Sequence, residues 1–222
     1  RYSLQFNYRA DAFDTSKLPA DKRWGKFPSI AAGWTISNEK FIKENISSDV
    51  LSFLKFRASW GRNGNVNVLN NYPYTSPISY NAAWYQYGDS PEQHYGSYPS
   101  GLANPNLKWE TSEQLDLGLD MRFLNDRLTV SLDYYNKNTK DLLIKINPVP
   151  EVYTNQTTIN AGEVNNKGCE FEANWRGHIG DLSYSVNANF STLKNEVTYL
   201  YDDLPRITAS KGGVSGTNNK VH

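Results

Sequence analysis

Glu170 and Glu172 stand two residues apart, a spacing that puts both carboxylates on one face of an extended strand, roughly 6.5 to 7 Å from each other. Paired carboxylates near that separation can share acid, base or nucleophilic work at a glycosidic bond. A blander reading competes with this one. Lys55, Arg57, Asp116, Asp120, Arg122 and Asp133 supply both signs of charge on other segments, as charge balance on a wetted surface requires. The blander reading is favoured, and no catalytic residue is assigned. His94, His178 and His222 are far apart and lack metal-ligand spacing. Cys169 is the sole cysteine, so neither an internal disulfide nor a paired-thiol metal site is available. Lys211 to Thr217 is glycine-rich but lacks the Gly-Lys-[Ser/Thr] ending of a phosphate cradle. Neither a metal nor a cofactor is expected.

The segment from Arg62 to Pro105 differs in kind, since Tyr72, Tyr74, Tyr80, Trp84, Tyr85, Tyr87, Tyr95 and Tyr98 lie among prolines and asparagines. Amphipathic rings offer contact area with little side-chain entropy to lose, which suits sugar or peptide recognition. They also serve to pack a long loop on itself. Tyr72, Tyr74, Trp84, Tyr85 and Tyr87 are the candidates for contact with cargo or with a partner.

These residues need elements to hold them, and the elements read as strands. Tyr2, Leu4, Phe6 and Tyr8 alternate with polar neighbours, as do Ile30 to Ile36, Leu54 to Trp60, Leu115 to Phe123, Leu128 to Tyr134, Cys169 to Trp175 and Leu182 to Phe190. Period two over seven segments, with no charge on the apolar sides, predicts seven strands with one greasy and one wet face. The 222 residues carry fifteen Tyr, six Trp and 14% aromatics, a composition that favours an all-β chain. Mean hydropathy is −0.66, which argues against membrane-spanning helices. Net charge is zero, so no global field draws in nucleic acid.

Such alternation fits a soluble antiparallel sheet burying its apolar side, or a membrane barrel turning that side to lipid. Phe123 to Leu128 and Arg176 to Asp181 are tight links. Asn38 to Ser52 is intermediate, with spacings that permit one short helix. Ala10 to Pro28, Arg62 to Pro105 and Asn138 to Val164 are long. Turns at one end and large loops at the other are the asymmetry of outer-membrane barrels. Tyr2, Tyr8, Trp34, Trp60, Trp109, Phe123, Tyr134, Trp175 and Tyr184 fall on the apolar sides, most near strand ends, as interfacial girdles do.

Specific stretches then carry a resemblance: Arg23-Trp24-Gly25-Lys26-Phe27-Pro28-Ser29 leading to Gly33-Trp34, Leu54-Lys55-Phe56-Arg57-Ala58-Ser59-Trp60-Gly61, Asn104-Pro105-Asn106-Leu107-Lys108-Trp109-Glu110, Asp133-Tyr134-Tyr135-Asn136-Lys137, and Asn160-Ala161-Gly162-Glu163-Val164-Asn165-Asn166-Lys167-Gly168. In that order they resemble the barrel of SusC/RagA-type TonB-dependent transporters of Bacteroidetes-like bacteria. The resemblance implies an antiparallel transmembrane β-barrel of about 22 strands with a plugged lumen, in the bacterial outer membrane. Residues 1 to 222 are then expected to be one part of that barrel, with signal peptide, plug and closing strands outside it.

It further implies import of a glycan, oligosaccharide or peptide, a SusD-like surface lipoprotein as lid, TonB as energy source, lipid around the wall, and no enzymatic activity. Lys55, Arg57, Asp116, Asp120, Arg122, Glu170 and Glu172 would face the lumen. A soluble β-rich carbohydrate-binding or adhesion domain and a barrel hydrolase are the alternatives.

Overall fold

The computed structural model describes residues 1–14, 16–86, 93–146 and 157–200. Twelve strands are present among them: β1 (Tyr2–Ala12), β2 (Trp24–Thr35), β3 (Leu51–Asn65), β4 (Ile78–Gln86), β5 (Gln93–Pro99), β6 (Glu110–Phe123), β7 (Leu128–Lys140), β8 (Leu143–Ile146), β9 (Thr157–Asn160), β10 (Gly162–Ile179), β11 (Leu182–Ser191) and β12 (Lys194–Leu200). The seven segments of period-two alternation become β1, β2, β3, β6, β7, β10 and β11, side by side in that order in one antiparallel sheet. β4 with β5, and β8 with β9, form separate hairpins inside the long loops.

Register carries the alternation across the whole sheet. One rung runs Tyr2, Trp34, Phe56, Leu119, Leu132, Phe171 and Phe190, apolar on every strand. The neighbouring rung on the opposite face runs from Lys55 through Asp120, Ser131 and Glu172 to Asn189. A one-residue slip at any ladder would mix these faces. Among the described residues no second sheet covers the apolar side, where Leu4 is 76% exposed and Phe190 66%. The buried cluster lies instead among the loops: Leu18, Phe27, Val66, Leu69, Leu107, Trp109 and Leu143, with Tyr74 packed against it. A soluble sandwich would bury its apolar faces between sheets; the described residues of this chain do not.

One end of the sheet has compact links. Residues 36 to 50 hold a 3-10 turn (Ile36–Asn38) and a single helical turn (Lys40–Lys43). Leu124, Asn125 and Asp126 make the β6–β7 turn, all at φ between 55° and 63°. Asn and Asp enter that left-handed region readily, whereas Leu124 adopts it at a steric cost. Gly180, at φ 58°, opens the β10–β11 turn. The other end carries residues 13–14, 16–23, 66–86, 93–109, 141–146 and 157–161 with both accessory hairpins, so short and long links alternate as expected.

Three features depart from the sequence reading. β2 and β10 start at Trp24 and Gly162, earlier than expected, because backbone pairing continues above the apolar belt where side chains no longer alternate. Trp109 does not join the outer aromatics. It is 8% exposed in the loop cluster, edge-on to Phe13 and Phe27 with ring centroids 5.9 and 5.5 Å away. Finally, β11 and β12 both pair with β10 at one continuous offset, Ser191 opposite Glu170 and Lys194 opposite Lys167. They are one strand bent at Thr192–Leu193.

Candidate functional site

On the polar face the Arg57 guanidinium bridges two carboxylates, with Nε 2.8 Å from Asp120 Oδ2 and Nη2 2.9 Å from Asp133 Oδ1. Ser131 donates to Asp120 Oδ1 at 2.8 Å. Gly118 stands between these groups, and a Cβ there would meet the Asp133 carboxylate at 2.5 Å and the guanidinium carbon at 2.6 Å. The missing side chain lets the guanidinium lie across the strand. Ser59 and Gln114 both donate to Asp116, at 3.3 and 2.8 Å. Arg122 lies over the Phe53 ring, 5.0 Å from its centroid.

Glu170 sits opposite Asp133, and Glu172 opposite Ser131. Together with Asn189 they line an open depression of about 450 Å³. Lys55, Arg57, Asp116, Asp120, Arg122, Glu170 and Glu172 thus share one face. Arg57 pairs with Asp120 and Asp133, and the exposed Glu170 and Glu172 add charge beside them, which makes a wettable surface.

Above the long-loop end, side chains staple the loops together. Asn160 donates from Nδ2 to the Lys108 and Asp141 carbonyls at 3.0 and 2.9 Å, and its Oδ1 accepts from the Lys108 amide at 3.0 Å. Asn104 donates to the Thr158 carbonyl at 3.0 Å and Thr157 to that of Leu102 at 3.1 Å. Lys17 reaches the Leu69 carbonyl at 2.6 Å. The Asn104-Pro105-Asn106 and Asn160-Ala161-Gly162 stretches were legible as motifs, but their joint role was not, since each supplies half of a contact across the sheet. Asn160→Leu removes three bonds, each worth about 1 kcal/mol. It should speed amide hydrogen exchange at Lys108 and proteolysis within 141–161, with wall strands unaffected.

Of the aromatic candidates, Tyr72 is exposed and adopts φ 53°. Its amide donates to the Ser16 carbonyl at 2.6 Å. Tyr74 packs against the loop cluster, so its ring supports the loops. Trp84 and Tyr85 pair through the β4–β5 ladder with Tyr95 and His94. Their side chains lie outside the described residues, as does all of Tyr87.

At the compact end, Tyr2 and Trp34 stack with centroids 6.2 Å apart on the apolar face. Both donate to Glu39, at 2.9 and 3.2 Å, and Arg1 approaches it at 3.6 Å. The indole N–H of Trp34 and then the Tyr2 hydroxyl hold the Glu39 carboxyl below the usual glutamate range. Its stabilising contribution is therefore complete above the unfolded pKa and lost as pH falls through the lower folded value. Unfolding midpoints of wild type and Glu39→Gln should differ at pH 7 and converge as the solution is acidified through that window.

A charged polar face, an apolar face with aromatic ends that is uncovered among the described residues, and a loop layer on one side describe a segment of barrel wall. Residues 1–220 match the family model described as TonB dependent receptor-like, beta-barrel. The chain belongs to the TonB-dependent receptor β-barrel family. Within that family it is 36% identical over 229 residues to the TonB-dependent receptor SusC of Bacteroides thetaiotaomicron, covering 100% of this chain and 22% of that protein. It is 37% identical over 204 residues to the TonB-dependent receptor P3 of Formosa agariphila, covering 91% and 19%. Among solved structures, the RagAB peptide importer in its open-open state superposes with TM-score 0.77 at 27% identity, over 96% of this chain and 22% of that one.

The chain therefore spans roughly a fifth of the length of these relatives. Membership places this TonB-dependent receptor segment in the bacterial outer membrane. Among the described residues the seven-strand wall is not closed, and it is a fragment of a larger barrel.

Proposed function

We propose that the protein to which this segment belongs imports a nutrient, an oligosaccharide or a peptide, across the outer membrane under the drive of TonB. A SusD-like surface lipoprotein closes over the loop layer, and lipid surrounds the apolar face. The observation that carries this reading is the division of one sheet into an apolar rung of seven side chains and an opposite face that carries the charged side chains, Arg57 among them bridging Asp120 and Asp133. Barrel walls that separate lipid from a wet or plug-filled interior need that division.

On this reading Lys55, Arg57, Asp116, Asp120, Arg122, Glu170 and Glu172 line the interior, and the long loops face outward. SusC and the RagAB peptide importer among the similar proteins support import, the latter supporting peptide cargo. Tyr72 and Tyr74, with Trp84, Tyr85 and Tyr87 beyond the described side chains, are the proposed contacts to cargo or lid.

In the native bacterium, deletion of the full-length gene should abolish growth on one oligosaccharide or peptide source, and restoring the gene should restore growth only with TonB present. Undiminished uptake without TonB would sink the proposal. Trp84→Ala with Tyr85→Ala should weaken uptake or lid association while the assembled barrel remains in the membrane. Unchanged uptake and lid binding would reduce these rings to loop packing.

A further inference from the structure

The apolar face changes character toward the long loops. Its uppermost apolar rung begins with Phe6, Ile30, Trp60 and Leu115 but ends with Asn136, Lys167 and Lys194. The next rung on the same face reads Arg62, Glu113, Asn138, Asn165 and Glu196, and Lys140 follows beyond it.

Lys167 and Lys194 are directly opposed across the ladder, an arrangement that is unfavourable for like charges. Glu196 pairs with Lys194 at 2.8 Å, leaving two ammonium groups to one carboxylate. An external anion would resolve that excess. Asn165 holds Asn136 at 2.6 Å beside the pair, so the polar rim is organised by side-chain contacts.

Directly below lies an apolar groove of about 320 Å³, lined on this face by Phe56, Leu117, Leu119, Leu132, Tyr134 and Phe171. Cys169 also lines the groove and lies two residues from Lys167 along β10, so at about 3.3 Å per residue the groove starts roughly 7 Å from the cationic pair. A ligand filling both must carry a negative head and an aliphatic chain in one molecule. A soluble anion has no use for the groove, and a neutral lipid has none for the lysines.

We propose that the Lys167–Lys194 pair and the groove beneath it bind a phosphate-bearing glycolipid of the outer leaflet, of the lipopolysaccharide class, with phosphate between the lysines and acyl chain in the groove. This rests on the reading above, that the apolar face meets lipid and the long loops lie outside. Lysine at the membrane rim extends its ammonium to head-group level while its stem covers apolar surface, and basic rims of this kind attract anionic lipid.

The test uses the full-length transporter in detergent, titrated with lipopolysaccharide, with enzymatically dephosphorylated lipopolysaccharide and with inorganic phosphate. Wild type should bind the intact lipid about tenfold or more tightly than the dephosphorylated form, and inorganic phosphate should not compete. Lys167→Gln with Lys194→Gln should erase that preference, whereas Lys137→Gln on the opposite face should keep it. Equal binding of intact and dephosphorylated lipid by wild type, or an unchanged preference in the double variant, would overturn the proposal. Competition by inorganic phosphate would assign the lysines to a soluble anion and also overturn it. If the double variant does not fold, the wild-type comparison still decides.

Orientation is read separately. Val68→Cys in a Cys169→Ser background should react with an impermeant thiol reagent on intact cells. Failure there defeats the topology, while labelling without lipid preference defeats the lipid site alone.

Discussion

Leu119→Arg should destabilise the folded barrel by about 2–4 kcal/mol, the cost of an arginine facing lipid near the bilayer midplane. Leu119 is central in the outer run Leu115, Leu117, Leu119, Met121 and Phe123, with Phe56 and Leu132 as its rung neighbours. From Leu115 to Phe123 the strand covers about 26 Å, which a tilt of about 40° reduces to about 20 Å, comparable to the apolar band of an outer-membrane barrel. Val186→Arg belongs to the same class, since Val186 is 58% exposed on the apolar side opposite Trp175. Ser185→Arg, one residue away on the other face, should be far milder. Denaturant unfolding in lipid vesicles reads all three, and equal losses at Val186 and Ser185 would reject the assigned faces.

Gly168→Val should cost about 3 kcal/mol, as overpacking does where neither side can retreat. A Cβ at Gly168 would run into the Thr192 carbonyl oxygen and stand 2.7 Å from the Tyr135 hydroxyl. Thr192 is tied at that place, its amide donating to the Cys169 carbonyl at 2.9 Å and its hydroxyl accepting from the Cys169 amide at 3.1 Å. The bend between β11 and β12 thus brings backbone onto backbone, and glycine is what allows the approach. Gly118→Ala is the control. Its obstacles are the ends of the Arg57 and Asp133 side chains, which can swing away, so its effect should be small. Comparable losses at both positions would mean that the bend at Thr192 is not what Gly168 serves.

Much of the wall was legible because its rule is local. Period two in Leu115 to Phe123 or Leu182 to Phe190 states which side chains share a face without knowledge of any partner strand, and the spacing of these segments states which links are turns. The pairings β6–β7 and β10–β11 follow, since their short links force neighbours to pair, whereas the long links between β1 and β2, β3 and β6, and β7 and β10 leave their pairings to the fold. The charged residues Lys55, Arg57, Asp116, Asp120, Arg122, Glu170 and Glu172 fell on one face for the same reason.

Pair register and loop packing were not legible, because they depend on residues distant in sequence. Trp109 continues the parity of Leu115 and was expected outside, yet it precedes β6 and turns into a cluster with Phe27 and Leu107. Above the apolar belt the hydrophobic period vanishes while the ladder persists. Nothing in the local pattern of β4 or β8 separated a hairpin from a polar loop. Tertiary structure alone placed Arg57 between Asp120 and Asp133, brought Asn160 to the Lys108 backbone, bent β12 over Gly168 and set Lys167 against Lys194. A strand's own sequence determines what each face offers to its surroundings, whereas cross-strand offset determines which offers meet.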